Sequence, residues 1–315
     1  MQKFLNKIIC GDCIEILSKV KKPFADLIFA DPPFNIGYKY DKYNDKVKSK
    51  NYIAWTKDWM AACKKVLKPH GSFYIAIGDD YAANVKIIAD ELSLFMRNWI
   101  IWHYTFGQQM KNKFARSHTH IFYFVNDKKN LTFNDYAVRI PSDRQLIYND
   151  RRANPAGKMP DDVWNSYPRV CGTFKERAGW HPCQMPENLL NRIITASSSP
   201  GDCVLDPFSG SGTTAAASYR TGRNYVGLEI SEKYVKNANK RLEQLKKHRR
   251  SNLFLGTTEL NELEQLLCDM GKPAEEITAN KNLSELFINQ FTLRMNNHKR
   301  YNPEDIVTAL EDLAG

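Results

Sequence analysis

The chain has 315 residues, a formal net charge of +10 and 43% hydrophobic residues. This length suits one large α/β domain with an insertion, or two modest domains. No apolar run is long enough to span a bilayer, and no signal-peptide hydrophobic region stands near the N-terminus. These features argue against a membrane or secreted protein and predict a cytoplasmic one.

The charge is unevenly distributed along the chain. Residues 251–315 contain 5 Lys or Arg and 11 Asp or Glu, a balance of −6, which leaves +16 for the preceding residues. A basic body is typical of a protein that binds a polyanion such as nucleic acid, although a solvated basic surface would produce the same count.

The seven cysteines are odd in number and favour reduced thiols. Cys10 and Cys13 have C-x-x-C spacing, but no second pair follows, so we predict no metal site.

The first half of the chain alternates strand and helix patterns, which is typical of an α/β sheet. The patterns predict strands over 4–10, 25–30, 72–78, 99–104 and 120–125, and helices over 14–20, 52–67 and 81–92. The last two strands have no helix between them, so we expect an antiparallel pair at an edge of the sheet. Residues 35–50 are polar and predict a mobile loop beside a pocket.

Asp31 directly follows the apolar strand at 25–30 and precedes two prolines and Phe34. Because Pro32 fixes its own φ and restricts Asp31, the carboxylate is held rigidly at the carboxyl end of a strand, where α/β sheets bind ligands. A carboxylate, a stiff carbonyl and an aromatic ring together could grip a planar amine such as a nucleobase. Taken alone, the motif is equally compatible with a structural turn that ends the strand.

Two segments combine cations with aromatic side chains and lack a regular period. Residues 106–117 predict a long hairpin loop, and residues 132–180 predict a loop-rich insertion punctuated by prolines. Arg side chains can read base edges, and Lys and Arg can hold phosphates, so we predict nucleic-acid contacts for both segments. An ordinary hairpin loop and an irregular surface subdomain are the alternatives. The predicted DNA-binding residues are Lys111, Lys113, Arg116, Arg144, Arg151, Arg152, Lys175 and Arg177.

A glycine-rich turn stands in the last third of the chain, between predicted strands over 203–206 and 224–229. Gly210 and Gly212 permit a tight turn and a close approach of a ligand, and Glu229 at the end of the next strand could hold a ribose diol. No Gly stands at 215 and no P-loop Lys is present, which disfavours nicotinamide and nucleoside-triphosphate sites.

Helices are predicted over 186–194 and 232–246. The acidic tail, also predicted helical, could be a packing appendage or an oligomer contact.

Three motifs in this order carry a family resemblance: the Asp-Pro-Pro-Phe motif at 31–34, the junction segment at 181–190 and the glycine turn at 206–213. Together they resemble the S-adenosylmethionine-dependent DNA methyltransferases that modify exocyclic amino groups, the N6-adenine and N4-cytosine enzymes. With the catalytic motif first and the cofactor loop last, the order resembles the permuted β class. The sequence departs from the family at Met185, where Lys is usual, so one contact to the cofactor carboxylate is missing or supplied elsewhere.

The resemblance implies a Rossmann-like methyltransferase fold with a seven-stranded, mostly parallel sheet and circularly permuted motifs. It implies S-adenosylmethionine as the cofactor, double-stranded DNA as the substrate, and no metal. The implied catalytic residues are Asp31, Pro32, Pro33 and Phe34. The implied cofactor-binding residues are Asp12, Asp206, Phe208, Gly210, Gly212, Thr213 and Glu229. The implied domains are the catalytic half over 1–131, a target-recognition insertion over 132–180, the cofactor half over 181–250 and a C-terminal extension over 251–315.

The target base is the main alternative within this interpretation. By resemblance, Asp at the first motif position favours adenine N6, and cytosine N4 is the alternative. A protein-glutamine methyltransferase is less favoured, because those relatives place Asn first and the cofactor loop ahead of it. A catalytically inactive DNA-binding regulator is disfavoured by the complete motif set. A cognate restriction endonuclease and a homodimer are partners expected by analogy, and the recognition sequence cannot be read from residues 132–180.

Overall fold

The chain folds into two compact units. The computed structural model describes residues 4–108, 110–172, 174, 176–247, 255–295 and 299–314. The first unit comprises Met1–Thr132 and Asp162–Lys247, and the second comprises Phe133–Asp161 and His248–Gly315. The segment predicted as one insertion at 132–180 is therefore divided between the two units. Among the described residues, no helix is both long and apolar enough to cross a membrane.

The first unit is built on a sheet whose described strands number eight. In chain order these are β1 (Lys7–Cys10), β2 (Ala25–Ala30), β3 (Leu67–Ile77), β4 (Phe95–Gln108), β5 (Arg116–Val125), β6 (Val163–Trp164), β7 (Cys203–Asp206) and β8 (Asn224–Glu229). Their order across the sheet is β1-β8-β7-β2-β3-β5-β4-β6. The first five run parallel, and β5 is antiparallel to both of its neighbours.

This topology confirms the predicted α/β fold with a mostly parallel sheet. β2 pairs with β3 on one side and with β7 on the other, so the early and late parts of the chain join within the sheet. The sheet has one strand more than predicted, because β6 adds two residues beside β4. For the same reason, the predicted antiparallel pair does not close the edge: β5 lies inside the sheet, and β4 carries β6 on its outer side.

Helices cover both faces of this sheet. In the first unit they are α1 (Cys13–Ser18), α2 (Ser49–Val66) and α3 (Asp79–Glu91), followed after an interval by α5 (Glu187–Ser197), α6 (Thr213–Arg220) and α7 (Glu232–Lys247). Neighbouring residues of a strand point to opposite faces. Val226 of β8 belongs to a core cluster with α2 and α3, whereas Tyr225 beside it belongs to a cluster with α6 and α7. Both faces of the sheet are therefore buried.

The second unit is mainly helical. Its elements are a short 3-10 helix (Tyr136–Val138), α4 (Asp143–Leu146), α8 (Thr257–Met270), α9 (Ala274–Ala279), α10 (Lys281–Met295) and α11 (Pro303–Ala314). The core contains Leu263, Phe287, Phe291 and Leu310, all buried. Arg294 is also buried, and its guanidinium donates a hydrogen bond to Asp269 at 2.9 Å, so the charge is paired rather than isolated.

Candidate active site

An open cleft of about 990 Å³ lies at the carboxyl ends of four adjacent parallel strands, β1, β8, β7 and β2. Ligands of α/β proteins bind at this edge of the sheet. The cleft is lined by the following predicted site residues: Asp12, Asp31, Pro33, Asp206, Phe208, Gly210, Thr213 and Glu229. Three others, Pro32, Phe34 and Gly212, belong to the same two turns but do not line it. The fold thus brings the motif at 31–34 and the turn at 206–213 to one cleft.

The Asp31 carboxylate lies in this cleft. β2 is buried along all six residues and ends at Ala30, so the next side chain emerges at the edge of the sheet. Within the described residues, the Asp31 carboxylate makes no hydrogen bond. Burial, together with the charge of Asp206, raises its pKa to about 7, against a smaller opposing effect of Arg169. Part of the population therefore carries a neutral carboxylic acid near neutral pH.

The two proline carbonyls differ in their hydrogen bonding. The Tyr52 hydroxyl donates to the Pro33 carbonyl at 2.6 Å, which fixes the turn against α2. Over the part of the chain that the structure describes, the Pro32 carbonyl accepts no hydrogen bond. Phe34 lies against the turn between β3 and α3, where a Cβ on Gly78 would stand only 3.2 Å from the Phe34 ring. Gly78 therefore allows the aromatic ring to pack close to the backbone.

The glycine turn requires residues without a side chain. Gly210 and Gly212 have φ values of +45° and +75°, a left-handed conformation that glycine adopts readily. A Cβ on Gly210 would stand 2.7 Å from Nε2 of His181. Asp206 holds the turn from below: it accepts hydrogen bonds from the Phe208 N–H at 2.9 Å and the Thr214 hydroxyl at 2.5 Å. Burial raises the pKa of Asp206 to about 7 despite these bonds.

Two further acids stand on the neighbouring strands. Glu229 accepts the Gly210 N–H at 3.0 Å on one oxygen and the Ser231 N–H at 2.9 Å on the other. Asp12 caps α1 by accepting the Ile14 N–H at 2.8 Å. Each Glu229 oxygen accepts one hydrogen bond and keeps a second lone pair. Asp12 accepts the Ile14 and Glu15 N–H groups on one oxygen, which leaves its other oxygen open among the described residues. Both acids can therefore support the backbone and still accept hydrogen bonds from a ligand in the cleft.

Comparison with known proteins places the chain in a family. A family model described as DNA methylase matches residues 25–240. DNA adenine methyltransferase YhdJ of Escherichia coli K12 is 39% identical over 246 residues, covering 75% of this chain and 82% of the relative. Type II methyltransferase M.HpaI of Haemophilus parainfluenzae is 34% identical over 240 residues, covering 76% and 74%. The chain belongs to the DNA methylase family.

The solved structures that resemble this methylase share its fold. The cytosine-N4-specific PvuII DNA methyltransferase aligns with a TM-score of 0.59 and 17% identity, over 90% of this chain and 92% of that one. The complex of M1.HpyAVI with SAM aligns with a TM-score of 0.53 and 22% identity, over 75% and 98%. The family match and the two named relatives, rather than the shared fold, show that the protein is an S-adenosylmethionine-dependent DNA methyltransferase, as the three motifs predicted.

The cleft of the methylase also contains residues that the sequence did not single out. Tyr40, Trp55, His181 and Cys183 line it. The His181 Nδ1 lies 2.9 Å from the Cys183 carbonyl, and a carbonyl only accepts, so Nδ1 carries the hydrogen and Nε2 presents a lone pair above the glycine turn. Burial lowers the pKa of His181 to about 4, which keeps the ring neutral. His181 and Cys183 belong to the junction segment at 181–190, so this family motif could have identified them from the sequence.

The remaining predicted cofactor residues mainly support the site. The Thr213 hydroxyl is buried and accepts a hydrogen bond from Arg241 at 3.1 Å. The Phe208 ring packs against Trp55 and Trp59, with ring centroids 5.6 and 5.2 Å away. These contacts anchor the turn to α2 and α7, so the glycines between them are held in place.

The predicted DNA-binding residues of the first unit differ in their environment. Lys111 and Lys113 are exposed, with no partner among the described residues. Arg116 pairs with Asp79 at 3.0 Å. Arg177 donates to the Gly172 carbonyl at 3.0 Å. Lys175 lies outside the described residues.

In the second unit, two of the three predicted arginines are paired with one acid. Arg144 and Arg152 contact Asp150 at 2.6 and 3.0 Å. Hydrogen bonds from these arginines hold the pKa of Asp150 well below its usual range. Arg151 is exposed and has no partner over the described stretches. The DNA contacts of all these residues stay predictions.

Proposed function

We propose that this methylase modifies the N6 amino group of adenine in double-stranded DNA, and that Asp31 and the Pro32 carbonyl bind that amino group. The observation that carries the proposal is the Asp31 carboxylate, which is half-buried in the cleft and has no hydrogen-bond partner among the described residues. A carboxylate that opens into a ligand cleft and that no donor among the described residues satisfies can accept donors that arrive with the substrate. An exocyclic amine offers two such N–H donors.

The chemistry follows from the geometry of the turn. The lone pair of an aromatic amine is delocalised into the ring, so the nitrogen is a weak nucleophile. Acceptance of its two N–H bonds by the Asp31 carboxylate and the Pro32 carbonyl favours tetrahedral geometry at nitrogen and directs the lone pair out of the ring plane. The target base leaves the duplex stack at a cost of roughly a few kcal/mol, and Phe34 offers a ring on which it stacks. Fixed acceptors act without reorganisation when charge develops.

The other side of the cleft suits the cofactor. The turn at Gly210 lines the cleft together with Glu229 and Asp12 at the ends of neighbouring strands, and this arrangement fits a nucleoside that carries an amino acid. When bound, S-adenosylmethionine supplies the methyl group. Asp206 and Thr213 hold the turn in the binding geometry, and Phe208 gives it an apolar wall. The carboxylates of Asp31 and Asp206 also favour a cationic sulfonium.

The choice of adenine rests on two observations. Asp stands first in the catalytic motif, as in most adenine enzymes of this kind, and a relative 39% identical is named a DNA adenine methyltransferase. The named cytosine-N4 structure shares only the fold with this chain, at 17% identity. We also propose a homodimer and a cognate restriction endonuclease as partners, by analogy with type II systems.

The test is to identify the methylated nucleoside. Unmethylated DNA is incubated with the enzyme and S-adenosylmethionine, digested to nucleosides and examined by mass spectrometry, with Asp31→Asn as the inactive control. We expect N6-methyladenine. N4-methylcytosine would overturn the choice of base and leave the family intact. Methylation of protein but not of DNA would overturn the proposed function as a whole.

A further inference from the structure

The β4–β5 hairpin carries a fully exposed aromatic ring. Phe114 is 100% exposed, whereas most large apolar side chains of this unit are buried. Its neighbours Lys111 and Lys113 are exposed cations. Exposure of a phenylalanine to water forgoes the free energy of its burial, so a ring at the tip of a basic loop suits contact with an anionic partner that offers an apolar surface. Stacked DNA bases between phosphates are such a partner.

The hairpin tip lies at the catalytic edge of the sheet. β2 and β3 run parallel, with Ala30 opposite Ile75, so their carboxyl ends share one edge. β5 runs antiparallel to β3, with His120 opposite Ile77, so the start of β5 and the hairpin before it extend beyond that same edge. Asp31 and Phe114 therefore belong to the same side of this unit.

The base of the hairpin is anchored beside the catalytic turn. Arg116 contacts Asp79 at 3.0 Å, and His118 and His120 contact the same carboxylate at 3.2 and 3.0 Å. Asp79 begins α3 directly after Gly78, the residue against which the Phe34 ring packs. The two hairpin strands also approach closely, since a Cβ on Gly107 would stand 2.5 Å from the Arg116 carbonyl oxygen. The base of the hairpin is therefore fixed beside the turn that Phe34 contacts, and Phe114 extends from this base at the exposed tip.

We infer that Phe114 is the wedge that enters the DNA stack when the target base leaves it. Apolar side chains inserted between base steps unstack them, and a ring fills the space of an extruded base. Lys111 and Lys113 hold the flanking phosphates while the ring enters. Phe114 is thus a positioning residue that acts on the DNA, and the inference rests on the proposed function.

The test compares two duplexes after the recognition sequence has been determined by sequencing DNA that the enzyme has methylated. In one duplex the target base is paired, and in the other it stands opposite an abasic site, which removes the pairing that the wedge must replace. We expect Phe114→Ala to lower kcat/KM on the paired duplex about tenfold or more, because stacking of one aromatic ring on a base is worth roughly that factor. On the abasic duplex the variant should match the wild type, and Phe114→Trp should keep activity on both.

Base extrusion itself gives a second readout. With 2-aminopurine at the target position, binding of the wild type should raise the fluorescence, and Phe114→Ala should reduce that rise. Ile87→Ala, at an apolar residue of α3 that is 56% exposed, is the control and should behave as wild type. Equal loss on the paired and abasic duplexes, or no loss on either, would overturn the wedge. Absence of DNA methylation by the wild type would instead overturn the proposed function.

Discussion

Replacement of Asp31 by Asn should severely reduce turnover and should stabilise the fold at pH 8 relative to pH 4. In the folded protein, burial and the charge of Asp206 raise the pKa of this carboxyl from 3.8 to about 7. Between these values the folded state binds more protons than the unfolded state, so ionisation of Asp31 lowers stability as the pH rises from about 4 to 7. Asparagine has nearly the same shape and no charge, and it removes this cost.

The size of the effect follows from the shift. A change of about 3 pH units corresponds to roughly 4 kcal/mol above pH 7, at 1.36 kcal/mol for each unit. This is an upper value, because Asp31 and Asp206 share the repulsion, so part of the shift belongs to the pair rather than to Asp31 alone. The unpaired asparagine amide costs about 1–3 kcal/mol at every pH and therefore cancels when two pH values are compared. We therefore expect the variant to gain about 1–3 kcal/mol over the wild type at pH 8, relative to the difference between them at pH 4.

The measurements are urea unfolding at several pH values, calorimetric binding of S-adenosylmethionine and methylation of DNA with a labelled cofactor. The removal of a preorganised catalytic charge should lower kcat by about 10²–10³-fold, while the cofactor still binds. In the wild type, kcat/KM should rise with pH and level off above about 7, because the ionised carboxylate is the stronger acceptor.

Two results would refute this reasoning. A stability difference between Asp31→Asn and wild type that stays constant from pH 4 to pH 8 would show that folding does not raise the pKa of the Asp31 carboxyl. Turnover near the wild-type level would remove Asp31 from the mechanism, whatever the stability data show.

Three further predictions concern the cofactor turn and the hairpin. Gly210→Ala should weaken S-adenosylmethionine binding about tenfold in calorimetry, because its φ is +45° and its Cβ would stand 2.7 Å from His181. Gly201→Ala, at φ +89° with open space around the Cβ, is the control, and equal weakening there would contradict the argument. Glu229→Gln exchanges one of two N–H acceptors for a donor and should weaken cofactor binding about tenfold, with little change in kcat at saturation. Lys113→Ala should reduce the slope of log K against log salt for DNA by about 1, and an unchanged slope would exclude a phosphate contact.

Sequence reasoning predicted the site where the signal is local. Asp31 and Glu229 stand at strand ends, and the two glycines of the turn stand directly after a strand. Hydrophobic periodicity marks the ends of strands, and parallel strands present those ends at one edge, so these residues could be assigned to one cleft before the fold was known. The family resemblance added the order of the motifs and hence the joining of β2 to β7.

Other features depend on contacts between residues distant in sequence. Arg144 and Arg152, which the sequence analysis predicted to contact DNA, form ion pairs with Asp150 within the protein. β6 has only two residues, too short for any period, and is defined by its partner β4. The grouping of Phe133–Asp161 with the C-terminal helices likewise comes from packing, which composition does not report.

The sequence by itself determined the class of fold and the two turns that meet at the cleft, because glycines, prolines and strand ends act on the backbone next to them. The cofactor followed from the family resemblance of the motifs. Tertiary structure alone decided that Asp31 is left without a hydrogen-bond partner among the described residues, that the His181 ring stands over Gly210, and that Phe114 extends from the same edge as the catalytic turn. Exposure, pairing and pKa depend on what surrounds a side chain, and those surroundings exist only once the strands have been assembled into the sheet.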